Sequence, residues 1–212
     1  MKTIIINAGP RKNQNTAMML KEAQKGAEAA GAETEYIDLF DLNFTGCRSC
    51  LTCKRKGAQR NKCYWKDDCS PLIDKILKAD ALIIGSPIYL GEPTARFRAL
   101  FERLIFCVLS YDDYKGYFDG KVNVGIIYTM NAPQSYFESA MKPVSEAIEG
   151  SFRNFLRGTV KTVCAFSTLQ VADYSLYSMA KFNEAERRER RETQFPLDLK
   201  EAYQLGEELS RG

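Results

Sequence analysis

Apolar and polar positions along the chain switch between a near-continuous strand pattern and a helical one. Thr3 to Ala8 is β-branched and almost uniformly apolar, as expected of a central parallel strand covered on both faces. Asn15 and Thr16 are placed to cap a helix through Ala30, in which Met19, Ala23, Ala27 and Ala30 share a face before Gly31 stops it. Thr34 to Leu39 predicts a second strand. Ala81 to Gly85, Val122 to Thr129 and Val160 to Phe166 predict three more. Ser70-Pro71 opens a helix buried through Leu72, Ile73, Ile76 and Leu77. Phe97, Leu100, Phe101, Leu104, Ile105 and Val108 step by three and four along the clearest helix. Another helix follows Pro133, and two charged ones, around Tyr174 to Arg191 and Leu197 to Leu209, finish the chain. Asp41 to Asp68 has no periodic apolar face and reads as an insertion held by its cysteines.

Five strands alternating with helices imply a doubly wound α/β fold with a five-stranded parallel sheet, because each parallel strand is reached through a crossover. The 212 residues fit a single domain over 1–212, with a cysteine-rich insertion at about 41–69 after the second strand. No apolar run approaches the roughly 20 residues of a membrane helix, and the apolar start is too short for a secretory signal, so a cytoplasmic location is expected. The 30 basic residues are nearly balanced by 27 acidic ones, which leaves no global field to attract nucleic acid. There is no histidine, the usual general base near neutral pH and the usual zinc ligand, so triad hydrolases and histidine metal sites fall away. Seven cysteines, five of them between Cys47 and Cys69, favour metal or redox chemistry over a disulfide framework in a chain without an export signal.

In such a sheet, ligands sit beyond the carboxyl ends of the strands, where strand order reverses. The first strand runs into NAGPRKNQNT, residues 7–16, whose backbone amides and small polar side chains precede a helix N-terminus and favour a phosphate. This is neither a GxxxxGK[ST] loop nor a GxGxxG fingerprint. Two further strand ends, Gly85 to Thr94 and Tyr128 to Pro133, carry loops able to border a flat ring.

These stretches resemble the flavodoxin-like NAD(P)H-dependent FMN reductases, and within them the iron-sulfur flavoproteins. The family's first loop commonly reads NGSPRxxxNT and its second GSPxYxGxxxxxxKxFxDR; residues 7–16 and GSPIYLGEPTARFRALFER from Gly85 follow both. Gly46, Cys47, Cys50, Cys53, Cys63 and Asp67-Asp68 match the intervening GCxxCxxC, the further Cys and the acidic pair. The resemblance covers roughly residues 2 to 130. It implies that Gly9, Arg11, Asn13, Asn15 and Thr16 hold the phosphate of FMN, with the Gly9 amide facing it where the family usually has serine. Pro87, Ile88, Tyr89, Leu90 and Gly91, with Thr129, Met130 and Asn131, would border the flavin ring. The implied activity is an NAD(P)H oxidoreductase passing electrons through FMN to a quinone, another small molecule or a protein, as a homodimer or dimer of dimers. The flavin carries the chemistry, so no side chain is assigned a catalytic role. A non-enzymatic flavodoxin-type electron carrier and a zinc-stabilised binding module are the alternatives.

Cys47, Cys50 and Cys53 have the spacing by which one loop wraps three corners of a [4Fe-4S] cluster. The resemblance implies Cys63 as the fourth ligand, with Cys69 in reserve. A cluster-free redox-active or structural set and a four-cysteine zinc site stay open beside it. Cys107 and Cys164 read as inert core. Lys54, Arg55, Lys56, Arg60 and Lys62 are either a solvated loop or a dock for NADPH phosphates or an acidic redox partner. Arg187, Arg188, Arg190 and Arg191, alternating with glutamates, read as a salt-bridged exposed helix face.

Overall fold

The computed structural model describes residues 1–57 and 60–211. Its sheet contains the parallel strands β1 (Lys2–Asn7), β2 (Glu33–Asp38), β3 (Ala81–Tyr89), β5 (Val122–Thr129) and β6 (Arg157–Ala165) in the order β2-β1-β3-β5-β6. The expected count of five is corrected to six by β4 (Glu92–Pro93), which folds back antiparallel on the end of β3. Leu90 and Gly91 between them have φ 54° and 83°, the pair of positive values that tight hairpin turns use. β3 runs past the expected Gly85 because Ser86 and Pro87 still pair with Tyr128 and Thr129.

Ile4, Ile5 and Ile6 are all fully buried, on alternate faces. Ile4 and Ile6 join the core beneath α2 (Cys69–Ile76), α3 (Ala95–Val108) and α5 (Lys142–Leu156). Ile5 joins the core beneath α1 (Asn15–Ala29) and α7 (Phe195–Leu209). Both faces of β1 are therefore covered, which is why its sequence lacks polar alternation. α1 and α7 touch backbone to backbone: a Cβ on Gly26 would stand 2.0 Å from the Tyr203 carbonyl oxygen, and one on Gly206 1.9 Å from that of Ala23.

The helix expected after Pro133 is broken into a short turn α4 (Gln134–Tyr136), a π-helical turn (Phe137–Met141) and α5. Pro143 lies at the start of α5 and has no N–H for the regular ladder, so the preceding turn widens. The helix expected from Tyr174 begins ten residues later, as α6 (Glu184–Thr193). No helix among the described residues is long and apolar enough to cross a membrane.

Candidate functional site

The strand order reverses between β1 and β3. Beyond the strand ends there lies an open hollow. Gly9, Arg11, Asn15 and Thr16 line one wall, Pro87, Ile88 and Tyr89 a second, and Thr129, Met130 and Asn131 a third. Asn13, Leu90 and Gly91 do not line it. The Asn13 carboxamide oxygen instead accepts from Lys21 Nζ at 3.2 Å, and Leu90 and Gly91 form the exposed hairpin tip.

Hydrogen bonds knit the three loops together. Thr16 Oγ1 and Thr129 Oγ1 are 2.7 Å apart. Thr94, the N-cap of α3, donates through Oγ1 to the Ala8 carbonyl at 2.6 Å and through its amide to Ser86 Oγ at 3.0 Å. Asn15 and Thr16 are not caps but the first residues of α1. The N-cap is Gln14, whose side chain makes no capping bond, and the first turn holds no acidic residue. A helix leaves its first amides without internal acceptors, and the dipole makes this end positive, so it is suited to an anion. The Gly9 amide is not free for one: it donates to Asn7 Oδ1 at 2.9 Å. A Cβ at Gly9 would stand 3.1 Å from both that oxygen and Pro87 Cδ, so the turn leaves little room for a side chain.

Pro10, Gln14, Thr168 and Gln170 complete the lining, and the sequence reading missed them. Thr168 and Gln170 follow β6, a fourth strand end to which the same carboxyl-end rule applied. Thr168 is fixed by its amide and hydroxyl to the Met130 carbonyl. The Gln170 carbonyl accepts from Arg11 Nη1 at 2.6 Å and that of Leu169 from Asn15 Nδ2 at 2.8 Å.

The α6 arginines are mostly not an exposed salt-bridged face. Arg188 does pair with Glu184 at 2.6 Å. Arg187 instead donates to the side chain and carbonyl of Asn131 at 2.9 and 3.1 Å, Arg190 to the Phe166 carbonyl, and Arg191 to Asn15 Oδ1 at 2.9 Å. Burial lowers the pKa of Arg191. Alternating charge on a helix does not say which side packs on the sheet ends; here three arginines do.

A second hollow is lined by Cys47, Cys50, Cys53 and Cys63. Ser49 and Leu51, at φ 51° and 55°, curl the chain between the first three thiols. Cys69 is fully buried in α2 and lies outside the lining. Cys107, expected as inert core, does face this hollow, although it is only 2% exposed. Hydrogen bonds from Thr52 lower the Cys50 pKa. Burial raises that of Cys53 and pushes that of Cys69 up to about 12.

Two consecutive residues of α3 grip this loop. Glu102 Oε2 accepts from the Cys47 amide at 3.4 Å. Arg103, 3% exposed, donates to Cys63 Sγ at 3.2 Å, Ser70 Oγ at 2.9 Å and the Thr45 carbonyl at 3.3 Å, and pairs with Asp67. Burial alone would push the Asp67 carboxyl up, but the Arg103 bond and charge and the Cys69 and Ser70 amides outweigh it and hold it below its usual range. Lys54 turns inward to the Phe106 and Leu109 carbonyls at the end of α3, and Arg60 lies 3.9 Å from the Tyr117 ring centre. Lys54 is thus not a freely solvated loop cation, whereas Arg55, Lys56 and Arg60 are exposed as a solvated loop would have them.

Among the described residues, no three His, Cys, Asp or Glu side chains converge closely enough for one ion. A single zinc draws its ligands to 2.0–2.3 Å from one centre, whereas a cubane offers separate iron corners and its thiolates ring a wider space. Cys47, Cys50, Cys53 and Cys63 line one hollow without meeting at a single centre.

Residues 1–145 match the sequence model of the family described as NADPH-dependent FMN reductase. An iron-sulfur flavoprotein of Methanocaldococcus jannaschii is 37% identical over 103 residues, 49% of this chain and 51% of that protein. One from Methanosarcina thermophila is 30% identical over 105 residues, 50% of this chain and 53% of that protein. The chain thus spans about half the length of the curated relatives it matches. Among solved structures, an NAD(P)H:quinone oxidoreductase from Methanothermobacter marburgensis superposes with a TM-score of 0.66 at 18% identity, covering 100% of this chain and 98% of the other. An azoreductase from Bacillus anthracis gives 0.67 at 15% identity, covering 98% and 99%. At such identities the likeness shows a shared flavodoxin-like fold.

Proposed function

Since the chain belongs to the NADPH-dependent FMN reductase family, we propose that it is an oxidoreductase that takes hydride from NAD(P)H onto FMN and passes electrons to a quinone, another small molecule or a protein. The observation that carries this reading is the uncapped N-terminus of α1, opening without an acidic residue into a hollow at the strand switch point. When bound, FMN supplies the hydride acceptor and releases the electrons.

The chain's own residues bind and orient. The first-turn amides of α1, with Arg11 and the Thr16 hydroxyl, suit a phosphate monoester. Arg11 is already turned toward the hollow by the Gln170 carbonyl. Pro87 to Tyr89 and Thr129 to Asn131 form two edges of a slot for a planar ring. Asn13, Leu90 and Gly91 drop out of the binding set, and Thr168 and Gln170 enter it. Tyr89 and Leu90 are exposed beside the hollow, which supports a second copy of the chain covering that side.

The second hollow supports a [4Fe-4S] cluster held by Cys47, Cys50, Cys53 and Cys63. The thiol donor set suits the group, and the relatives from Methanocaldococcus jannaschii and Methanosarcina thermophila are named iron-sulfur flavoproteins.

An anaerobic visible spectrum with iron and sulfide analysis tests both groups. A flavin band near about 450 nm that bleaches on adding NADPH or NADH is expected. Flavin that binds but never bleaches would replace the reductase with an electron carrier reduced by a partner. A colourless protein that refuses FMN would end the flavin reading.

A further inference from the structure

We infer that Arg103 is a positioning residue for the thiol site: it selects Cys63 rather than Cys69 as the fourth ligand and, through its N–H···S bond, sets the reduction potential of the group held there. This rests on the cluster reading above and goes beyond it, since neither spacing nor resemblance assigns Arg103 a role.

The geometry is specific. Arg103 is a 3%-exposed guanidinium on the regular helix α3, which enters the wall of the hollow beside the four thiols. Its charge is matched by Asp67, which in turn accepts from the Cys69 and Ser70 amides at 3.1 and 3.4 Å. The planar fork leaves a second nitrogen directed at Cys63 Sγ, 3.2 Å away, and at Ser70 Oγ. Cys63 is therefore held against the hollow across the long spacer that separates it from Cys53. Cys69, two residues beyond Asp67, is turned into the core beneath α2, with its thiol fully buried. Glu102 seats the Cys47 amide, so one helix braces both ends of the thiol series.

A donor to a ligating sulfur stabilises the more electron-rich, reduced form and raises the potential. A lysine keeps a positive partner for Asp67 but, as a single ammonium on a flexible stem, cannot reproduce the fork that reaches Asp67 and the sulfur together.

The test uses the full chain reconstituted anaerobically with iron and sulfide, read by iron content and by a redox titration followed by EPR. C63S should lose cluster iron and C69S should keep it. R103K should keep the iron but show a reduction equilibrium about tenfold less favourable, about 59 mV lower for a one-electron couple. If R103K fails to fold, the neutral pair R103Q with D67N carries the same comparison without a stranded buried charge. Iron retained in C63S and lost in C69S overturns the assignment, as does a potential unchanged in the variants. Wild-type protein that binds FMN but takes up no iron defeats the cluster reading itself, and this inference with it. That result is distinct from an iron-loaded protein whose potential ignores Arg103.

Discussion

Gly206→Ala sets two physical expectations against each other. On helix propensity alone, replacing an interior helical glycine by alanine stabilises by about 1 kcal/mol. The contact between α1 and α7 reverses the sign. The new Cβ would begin 1.9 Å from the Ala23 carbonyl oxygen, with the Ala23 carbonyl carbon at 2.7 Å and its Cα at 2.9 Å. These are backbone atoms, which no rotamer change can move, so the helices must separate by more than an ångström. Overpacking of this kind costs about 1–3 kcal/mol, occasionally more. The separation also loosens the core that Ala23, Leu205 and Leu209 share with Ile5. A clash this deep with backbone atoms belongs at the upper end, about 3 kcal/mol, which less the propensity gain of about 1 leaves a net loss of about 2 kcal/mol. At about 2–4 °C per kcal/mol for a chain of this size, thermal unfolding followed by circular dichroism should show Tm lower by about 4–8 °C. Because α1 opens the proposed phosphate site, FMN should restore part of that loss by mass action. A variant with equal or higher Tm would refute the close crossing, and with it the placement of α7 against α1.

Arg11→Ala should weaken FMN about tenfold in a fluorescence-quenching titration, the lower end for a charge-assisted bond because Arg11 is exposed. Riboflavin, which lacks the phosphate, should bind variant and wild type alike; equal weakening of both ligands would contradict the phosphate role. Arg187→Ala removes both bonds to Asn131 and should weaken FMN and riboflavin together by about three- to tenfold, and unchanged binding of both would show that α6 does not brace the site. Asp67→Asn strands the buried Arg103 charge and should cost about 3 kcal/mol at pH 7. Because the folded state holds the Asp67 pKa down, its stabilisation is present above the ordinary carboxylate value and fades as pH falls through the folded one. The variant's acid-unfolding curve should therefore converge on that of wild type at low pH; parallel curves would count against the pairing.

The strands were legible because burial on both faces leaves an unbroken apolar run, as at Ile4 to Ile6, and the first loop because few sequences place so many amides and small polar groups before a helix. What the sequence could not reveal depended on partners far along the chain. The hairpin tip at Leu90-Gly91 depends on Ile88 finding Pro93 across a fold-back. Asn15 and Thr16 do not cap α1 because their side chains serve Leu169 and Thr129 instead. The arginines of α6 are periodic with glutamates on paper, yet only the packed fold decides that Arg187 and Arg191 meet Asn131 and Asn15. Thr168 and Gln170 belong to an unremarkable polar stretch, marked only by its place after the last strand.

Thr94, the cap of α3, is hydrogen-bonded to the first loop, and nine residues later the helix presents Arg103 to the thiols. At 1.5 Å per residue, this rigid rod fixes the interval between the two ends at about 13 Å. It serves as a molecular ruler that surface-loop variation does not stretch. One residue inserted within that span would rotate Arg103 by about 100° and leave the thiol loop without its brace, while the ring slot at the other end kept its shape.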